Sequence, residues 1–195
     1  MNDVTDRQGV DAVIVKRVQG GDKNAFDLLV RKYQFKISNL ISRYVYDQSE
    51  IEDIAQEVFV RAYRAIDGFR GESAFYTWLY RIAINTAKNY LVAQSRRPPN
   101  TDVEAVDAEL TEAGASLRDI GTPEANLLSQ ELATKVTEAV QSLPEDLRTA
   151  ITLRELEGLS YEEIAVVMEC PIGTVRSRIF RAREAIDFLV KPLIS

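Results

Sequence analysis

The C-terminal part of the sequence concentrates positive charge in one short stretch. Residues 170–183 read CPIGTVRSRIFRAR, with four arginines in the last eight positions and no acidic residue, although the chain of 195 residues has a formal net charge of −6. A guanidinium group can bind guanine through two hydrogen bonds or clamp a phosphate. This stretch is therefore a candidate for contact with DNA.

The residues before this stretch predict the helices that would present it. Ser160 and Glu163 form a capping box that begins one helix, and Gly158 ends the helix before it. A turn of about three or four residues then leads to a final helix that begins near Pro171. This arrangement is a helix-turn-helix, in which the second helix enters the DNA major groove. Cys170 is predicted to be a small buried residue of the turn.

At about 100° per residue, the final helix has an apolar face and a polar face. The apolar face must pack inward and consists of Val175, Ile179, Ala182 and Ile186. The outward and flanking positions are the candidate DNA contacts, namely Thr174, Arg176, Ser177, Arg178, Phe180 and Arg181. Since no glutamate compensates these arginines along the helix before Glu184, the pattern favours DNA binding over a solvated basic face.

A second candidate for nucleic-acid binding lies between Glu72 and Asp102, a segment without acidic residues. It interleaves basic and aromatic side chains, which suits a single strand because bases stack on rings while cations follow the backbone. The shared face of Phe75, Trp78, Leu79 and Ile82 is predicted to be core. The candidate contacts in this helix are Tyr76, Arg81, Asn85, Lys88 and Asn89.

The helix before that segment carries a third surface. Asp53, Gln56, Glu57 and Val60 lie at positions i, i+3, i+4 and i+7 and share one face, which we call the acidic face. Such a face with an apolar centre is typical of either a solvated surface or a protein-docking surface. Helical spacing alone leaves both interpretations open.

Helical periodicity dominates the chain and predicts an all-α fold with two small helical domains. The boundaries are placed at residues 1–97 and 123–195, joined by an acidic linker at residues 98–122. Residues 101–140 carry 2 basic and 9 acidic residues, so the excess negative charge lies there. The linker is interpreted either as a soluble spacer or as a segment that imitates nucleic acid in a basic channel.

Four local signals predict where the long helices begin. Asp22 can cap the first of them, a helix that runs to about Val45. A capping box at Ser49–Glu52 is predicted to begin the second helix, and Ser73 is predicted to cap the third. Pro123 is expected near the start of a helix in the second domain.

The composition excludes several classes of function. The chain has no histidine, so zinc fingers and nucleophile–histidine pairs are excluded, and it has no Walker phosphate loop. One cysteine cannot form an internal disulfide, and no apolar run reaches the roughly 18 residues of a membrane span. We therefore expect a cytoplasmic protein without catalytic residues, metal, cofactor or membrane insertion.

Three segments of the chain together resemble one family. DIAQEVFVRAYRAIDGF, GESAFYTWLYRIAINTAKNYL and LPEDLRTAITLRELEGLSYEEIAVVMECPIGTVRSRIFRAREAI are similar to regions two and four of bacterial RNA polymerase sigma factors. The likeness is to the extracytoplasmic-function group, and most nearly to its envelope-stress and alginate members. It covers residues of about 10–97 and 123–190.

The resemblance implies a sigma factor that binds core RNA polymerase and directs promoter-specific initiation in an envelope or extracytoplasmic stress response. It implies that the acidic face docks on the clamp helices of the largest subunit, with the flap as a second polymerase contact. Asn85 matches a position near a flipped non-template base of the minus-ten element, and the final helix matches the minus-thirty-five reader in duplex DNA. An anti-sigma factor, often membrane-anchored, is implied as the inhibitor.

An alternative interpretation is a dimeric helix-turn-helix regulator that acts without polymerase docking. It shares the C-terminal helices and requires a self-complementary dimer face and palindromic sites. It gives no reason for the basic and aromatic segment at residues 73–97. The sigma-factor interpretation explains that segment as well as the acidic face.

Overall fold

A computed structural model describes residues 3–96 and 123–194 of the chain. Within these ranges it contains eight α-helices, one short 3-10 turn at Ile66–Gly68 and no strand, so the predicted all-α class is confirmed. The helices of the first part are α1 Asp3–Gln19, α2 Lys23–Ile41, α3 Gln48–Ala65 and α4 Phe75–Ser95. Those of the second part are α5 Pro123–Ser142, α6 Glu145–Glu155, α7 Tyr161–Met168 and α8 Ile172–Ile194.

The chain divides into two compact units, Met1–Glu104 and Ala105–Ser195. The division falls inside the segment assigned to the linker at residues 98–122, which lies outside the described residues. Each unit has its own apolar core.

Helix α2 is the central element of the first unit, where it packs against α1, α3 and α4. The buried side of this helix includes Phe26, Leu29, Tyr33, Ile37, Leu40 and Ile41, whereas Val30 is half-buried. Burying one large aliphatic side chain stabilises a fold by about 1.5–3 kcal/mol. The helix ends at Ile41, earlier than expected, although Tyr44 is still buried beyond its end.

Helix α1, which the hydrophobic pattern does not locate, is attached to α2 by a buried carboxylate. Asp11 is only 2% exposed. Lys32 Nζ lies 2.6 Å from one of its oxygens, and the Tyr33 hydroxyl donates a hydrogen bond to the other. Because both oxygens have partners, the cost of burying this charge is offset.

The predicted helix starts of the first unit are correct once and wrong twice. Asp22 caps α2 as expected and accepts a hydrogen bond from the Ala25 amide at 3.2 Å. The Ser49–Glu52 capping box is wrong, because α3 begins earlier and Asp47 is its N-cap, accepting from the Glu50 amide at 3.0 Å. A hydrogen bond from Ser49 to the Asp47 carboxylate lowers the pKa of that aspartate.

Ser73 does not cap α4. The N-cap is Ala74, which has no capping side chain, and Ser73 Oγ lies 3.4 Å from the Ala74 carbonyl oxygen. The helix start is instead fixed by aromatic packing, since the Phe75 ring lies within 6 Å of the rings of Tyr33, Phe69 and Trp78. Tertiary packing therefore replaces a local cap at this position.

Helix α8 is the central element of the second unit and packs against α5, α6 and α7. The Ser160–Glu163 capping box is confirmed, with the Glu163 amide donating to Ser160 Oγ at 3.2 Å and the Ser160 amide to Glu163 Oε2 at 2.8 Å. Pro123 begins α5, and α8 begins one residue after Pro171. Gly158, at φ +69°, lies in the turn between α6 and α7.

Replacing Ser160 with alanine should lower the free energy of unfolding of the second unit by about 1 kcal/mol, because the Glu163 amide loses its acceptor. Urea unfolding of the full chain, followed by amide exchange in α7, measures this loss. Ser142→Ala is the control, since Ser142 only bonds back to the Ala139 carbonyl within its own helix. Equal losses in the two variants would contradict the capping role.

Candidate nucleic-acid and protein interfaces

The final helix α8 has the two faces that its sequence predicts. Val175, Ile179 and Ala182 are fully buried, and Ile186 is half-buried. On the opposite side, Ser177, Phe180 and Arg181 are exposed, and the Phe180 side chain is 61% exposed. An exposed aromatic ring costs free energy in water unless a partner covers it. The outward face of α8 is therefore a candidate binding surface.

The four arginines of α8 fall into two structural classes. Arg178 Nη2 lies 2.5 Å from Asp146 Oδ2, and Arg183 Nη2 lies 2.5 Å from Glu155 Oε1. Both carboxylates belong to α6, and the hydrogen bond that Arg183 donates to Glu155 raises the pKa of Arg183. Sequence inspection of α8 alone missed these acids because they lie about thirty residues earlier in the chain. Two arginines remain as candidate contacts, Arg176 and Arg181.

Arg176 lies beside an aromatic ring at the start of α7. Its guanidinium carbon is 5.9 Å from the centroid of the Tyr161 ring, and Arg154 approaches the same ring to 4.9 Å. Cation–π attraction acts within about 6 Å of a ring. Tyr161, which the sequence analysis did not single out, therefore restricts where the Arg176 side chain points.

The turn between α7 and α8 consists of residues 169–171. Glu169 has the left-handed conformation, with φ +51°. Cys170 is half-buried, so the prediction of a buried residue is wrong, and its sulfur lies 3.4 Å from Arg178 Nη1. Arg178 therefore contacts both α6 and the turn that begins its own helix.

The polar residues of α4 lie along one exposed side of that helix. Asn85 and Asn89 are exposed, and Arg81 and Lys88 are half-buried. At about 100° per residue, Trp78 shares this arc, and Tyr76 lies about 180° away from Asn85. Tyr76 instead makes an edge contact with Tyr80, with ring centroids 6.1 Å apart. The structure thus brings four of the five candidates together and leaves Tyr76 apart.

Trp78 and Ile82 are only half-buried, although the sequence analysis assigned both to the core. Phe75 and Leu79, predicted with them, are buried. The position of Trp78 around the helix axis explains its exposure, because Trp78 lies one turn before Arg81 and two turns before Asn85. Trp78 therefore joins the exposed arc of α4.

The acidic face of α3 lies beside an apolar groove. Asp53 and Gln56 are exposed, whereas Glu57 and Val60 are half-buried, and Glu57 forms a 2.6 Å ion pair with Arg61. A groove of about 490 Å³ runs between α2 and α3. Its lining includes Gln56 and Val60 from the acidic face, together with Phe26, Val30, Phe59 and Tyr63. Residue spacing within α3 does not reveal this groove, because its other wall belongs to α2.

Within the described residues, no group of three or more acidic or cysteine side chains could hold a metal ion. None of the described helices combines the length and the apolar character of a membrane span.

Comparison with known proteins identifies the family. Residues 29–97 match the family model of sigma-70 region 2, and residues 133–186 match that of sigma-70 region 4. The ECF RNA polymerase sigma-E factor of Escherichia coli K12 is 64% identical over 187 residues, which is 96% of this chain and 97% of that protein. The chain belongs to the extracytoplasmic-function group of the sigma-70 family.

Other relatives agree with this assignment. The RNA polymerase sigma-H factor of Pseudomonas aeruginosa PAO1 is also 64% identical over 187 residues, with the same coverage. The solved structure of CnrH in complex with the cytosolic domain of CnrY aligns with a TM-score of 0.66 at 24% identity, over 92% of this chain and 96% of that one. The structure of the sigma factor RpoE in complex with the anti-sigma factor NepR from Bartonella quintana aligns with a TM-score of 0.62 at 22% identity. The alignment covers 85% of this chain and 96% of that one. Both structures support the fold.

The family assignment decides between the two interpretations of the sequence. Sigma factors are transcription initiation factors without enzymatic activity, so the expectation of a non-enzyme is confirmed. The sigma-factor interpretation is likewise confirmed, in preference to a dimeric regulator. Helix α7 and residues 172–186 of α8 lie within the region 4 match, and α3 and α4 lie within the region 2 match.

Proposed function

We propose that this sigma factor reads the minus-thirty-five element of its promoters with α8 and the minus-ten element with α4, while α3 docks on core RNA polymerase. The observation that carries the proposal is the exposed ring of Phe180 between Arg176 and Arg181, on a helix whose other face is buried. A helix presented in this way fits the major groove, which is about 12 Å wide.

At the minus-thirty-five element, Arg176 and Arg181 supply guanidinium groups for guanine or phosphate. Neither of them forms an ion pair with another described residue, so DNA does not have to compete with a carboxylate for them. Phe180 can contact a thymine methyl group, and Thr174 and Ser177 offer hydroxyl groups beside it. A well-formed bidentate contact discriminates against a wrong base by about 1–3 kcal/mol.

At the minus-ten element, the exposed arc of α4 meets the non-template strand. The amides of Asn85 and Asn89 can hydrogen-bond the edge of an unstacked base. Arg81 and Lys88 lie beside them and can contact the phosphates of the same strand. Trp78 adds a half-exposed ring on the same arc. Tyr76, which lies on the other side of α4, is left without a direct role in this arrangement.

The polymerase-docking surface combines the acidic face with the groove between α2 and α3. Charged rims with an apolar centre are typical of specific protein interfaces, because the rim gives orientation and the centre gives affinity. Gln56 and Val60 belong to both parts of this surface. We assign it to the clamp helices of the largest subunit, and a second contact, between region 4 and the flap, to the other unit.

Regulation follows the pattern of the family. An anti-sigma factor, membrane-anchored in many members, is proposed to hold the chain at the cytoplasmic side of the inner membrane by covering both polymerase-binding surfaces. The functional context is an envelope or extracytoplasmic stress response. Support comes from the 64% identity to proteins named sigma-E factor.

Promoter binding should require core polymerase. A chain of net charge −6 with two small basic patches neutralises few phosphates, so its own affinity for duplex DNA is low at physiological salt. Core polymerase would hold both readers at one spacing, which raises their effective concentration. Run-off transcription and electrophoretic shifts with and without purified core enzyme measure this. Equal promoter affinity of the free chain would contradict the proposal.

A charge placed in the groove should weaken docking on core polymerase. Val60→Lys puts an ammonium group against the apolar lining, and we expect at least a tenfold loss of affinity for core polymerase, because burying an unpaired charge is costly. Val13→Lys is the matched control, since Val13 is 61% exposed on α1. Titration of labelled core enzyme separates the two variants. Similar affinities for both would exclude the groove from the interface.

Single-strand binding should be visible through the only tryptophan of the chain. Trp78 lies on the exposed arc of α4, so a single-stranded minus-ten oligonucleotide at low salt should quench its fluorescence, and a duplex of the same sequence should quench it less. Asn85→Ala should weaken the titration, whereas Phe180→Ala in the other unit should not. Quenching that is unaffected by Asn85→Ala would place the strand elsewhere.

A further inference from the structure

We propose that Arg178 and Asp146 form a positioning pair that fixes the direction of α8 on α6, so that Arg178 acts on promoter recognition through the helix and does not contact DNA. The inference rests on the proposed reading of the minus-thirty-five element by α8. It reassigns a residue that the sequence pattern counts among the DNA contacts.

The contacts of Arg178 connect three elements. One nitrogen of its guanidinium is 2.5 Å from Asp146 Oδ2 in the first turn of α6, and the other is 3.4 Å from the Cys170 sulfur in the turn before α8. The Arg178 side chain is only 23% exposed, compared with 51% for that of Asp146. A planar guanidinium with two fixed partners has few remaining orientations. Arg178 is therefore oriented toward its own unit.

The angular position of Arg178 supports the same assignment. The buried stripe of Val175, Ile179 and Ala182 defines the side of α8 that faces the unit. At about 100° per residue, Arg178 lies about 70° from the centre of that stripe, whereas Arg181 lies about 130° away. A helix presents to the groove the side opposite its packed face. Arg181 is on that side and Arg178 is not.

Arg183 is placed as the counterpart of Arg178. It lies about 70° from the same centre in the opposite direction and binds Glu155, near the other end of α6. The two arginine–carboxylate pairs thus flank the apolar stripe on both sides. Apolar packing permits small rotations of one helix on another, and two charged pairs at separate points restrict them. A small change in helix direction would displace Arg176 and Arg181 from the base edges they read.

The competing possibility is that Arg178 leaves Asp146 and binds a phosphate when DNA arrives. The two possibilities predict different effects on promoter recognition when the charges of Arg178 and Asp146 are exchanged. If Arg178 only positions α8, Asp146→Arg combined with Arg178→Asp rebuilds the pair in reverse and restores recognition. If Arg178 contacts DNA, an aspartate at this position repels the backbone whatever residue stands at position 146.

The test measures base discrimination by the reconstituted holoenzyme. Transcription from a cognate promoter is divided by transcription from promoters with single base changes in the minus-thirty-five element, for the wild type, both single variants and the double exchange. We expect each single variant to lower this ratio about tenfold and the exchange to return it to within about twofold of the wild type. A ratio that stays low in the exchange would overturn the proposal.

Two further variants keep the outcome clear. Arg181→Asp with Asp146→Arg is the matched control, and it should not recover, because Arg181 has no partner on α6. Asp146→Ala removes an acid near DNA, so charge alone predicts stronger binding, whereas loss of positioning predicts a lower ratio. A ratio that is unchanged or higher in Asp146→Ala would count against the pair. The midpoint of thermal unfolding, recorded for every variant, shows that each is folded.

The same experiment separates this inference from the function on which it rests. A wild-type holoenzyme that ignores changes in the minus-thirty-five element would refute the proposed role of α8 itself, and the pair with it. A wild type that discriminates, together with an exchange that does not recover, would refute only the pair.

Discussion

Burial of one apolar stripe on α8 determines the arrangement of the second unit. Val175, Ile179 and Ala182 are buried on a helix that packs against three others, so a large rotation of the helix about its axis would expose them to water. The identity of the outward residues follows directly from that constraint. Phe180 and Arg181 are exposed because Ile179 and Ala182, which flank them in the sequence, face the core.

Helix α2 has the corresponding role in the first unit. It contacts α1, α3 and α4, and its buried residues hold α3 and α4 with their polar sides outward. The groove beside the acidic face is a consequence of this packing, because α2 supplies one of its walls. The proposed docking surface and the proposed single-strand surface therefore both depend on helices that pack against α2.

Sequence periodicity predicted features that depend on one helix at a time. The buried and exposed sides of α8 and the capping box at Ser160 needed only local spacing, and both agree with the structure. Features that depend on a second element could not be predicted in this way. The carboxylate partners of Arg178 and Arg183 lie on α6, and aromatic packing replaces the expected cap at Ser73. The start of α3 shows that an Asp and a Ser two residues apart can compete for one cap position, which Asp47 occupies.

The internal pairing of Arg178 and Arg183 also affects how the protein responds to salt. Each arginine that meets a phosphate displaces a condensed counterion, and the salt dependence of binding grows with the number of such contacts. Two of the four arginines of α8 already have carboxylate counterions within the chain. If both pairs persist on DNA, as proposed for Arg178, the helix displaces about two fewer ions than its arginine content indicates. Its affinity for arbitrary duplex DNA is then lower, and base contacts make up a larger share of the binding free energy.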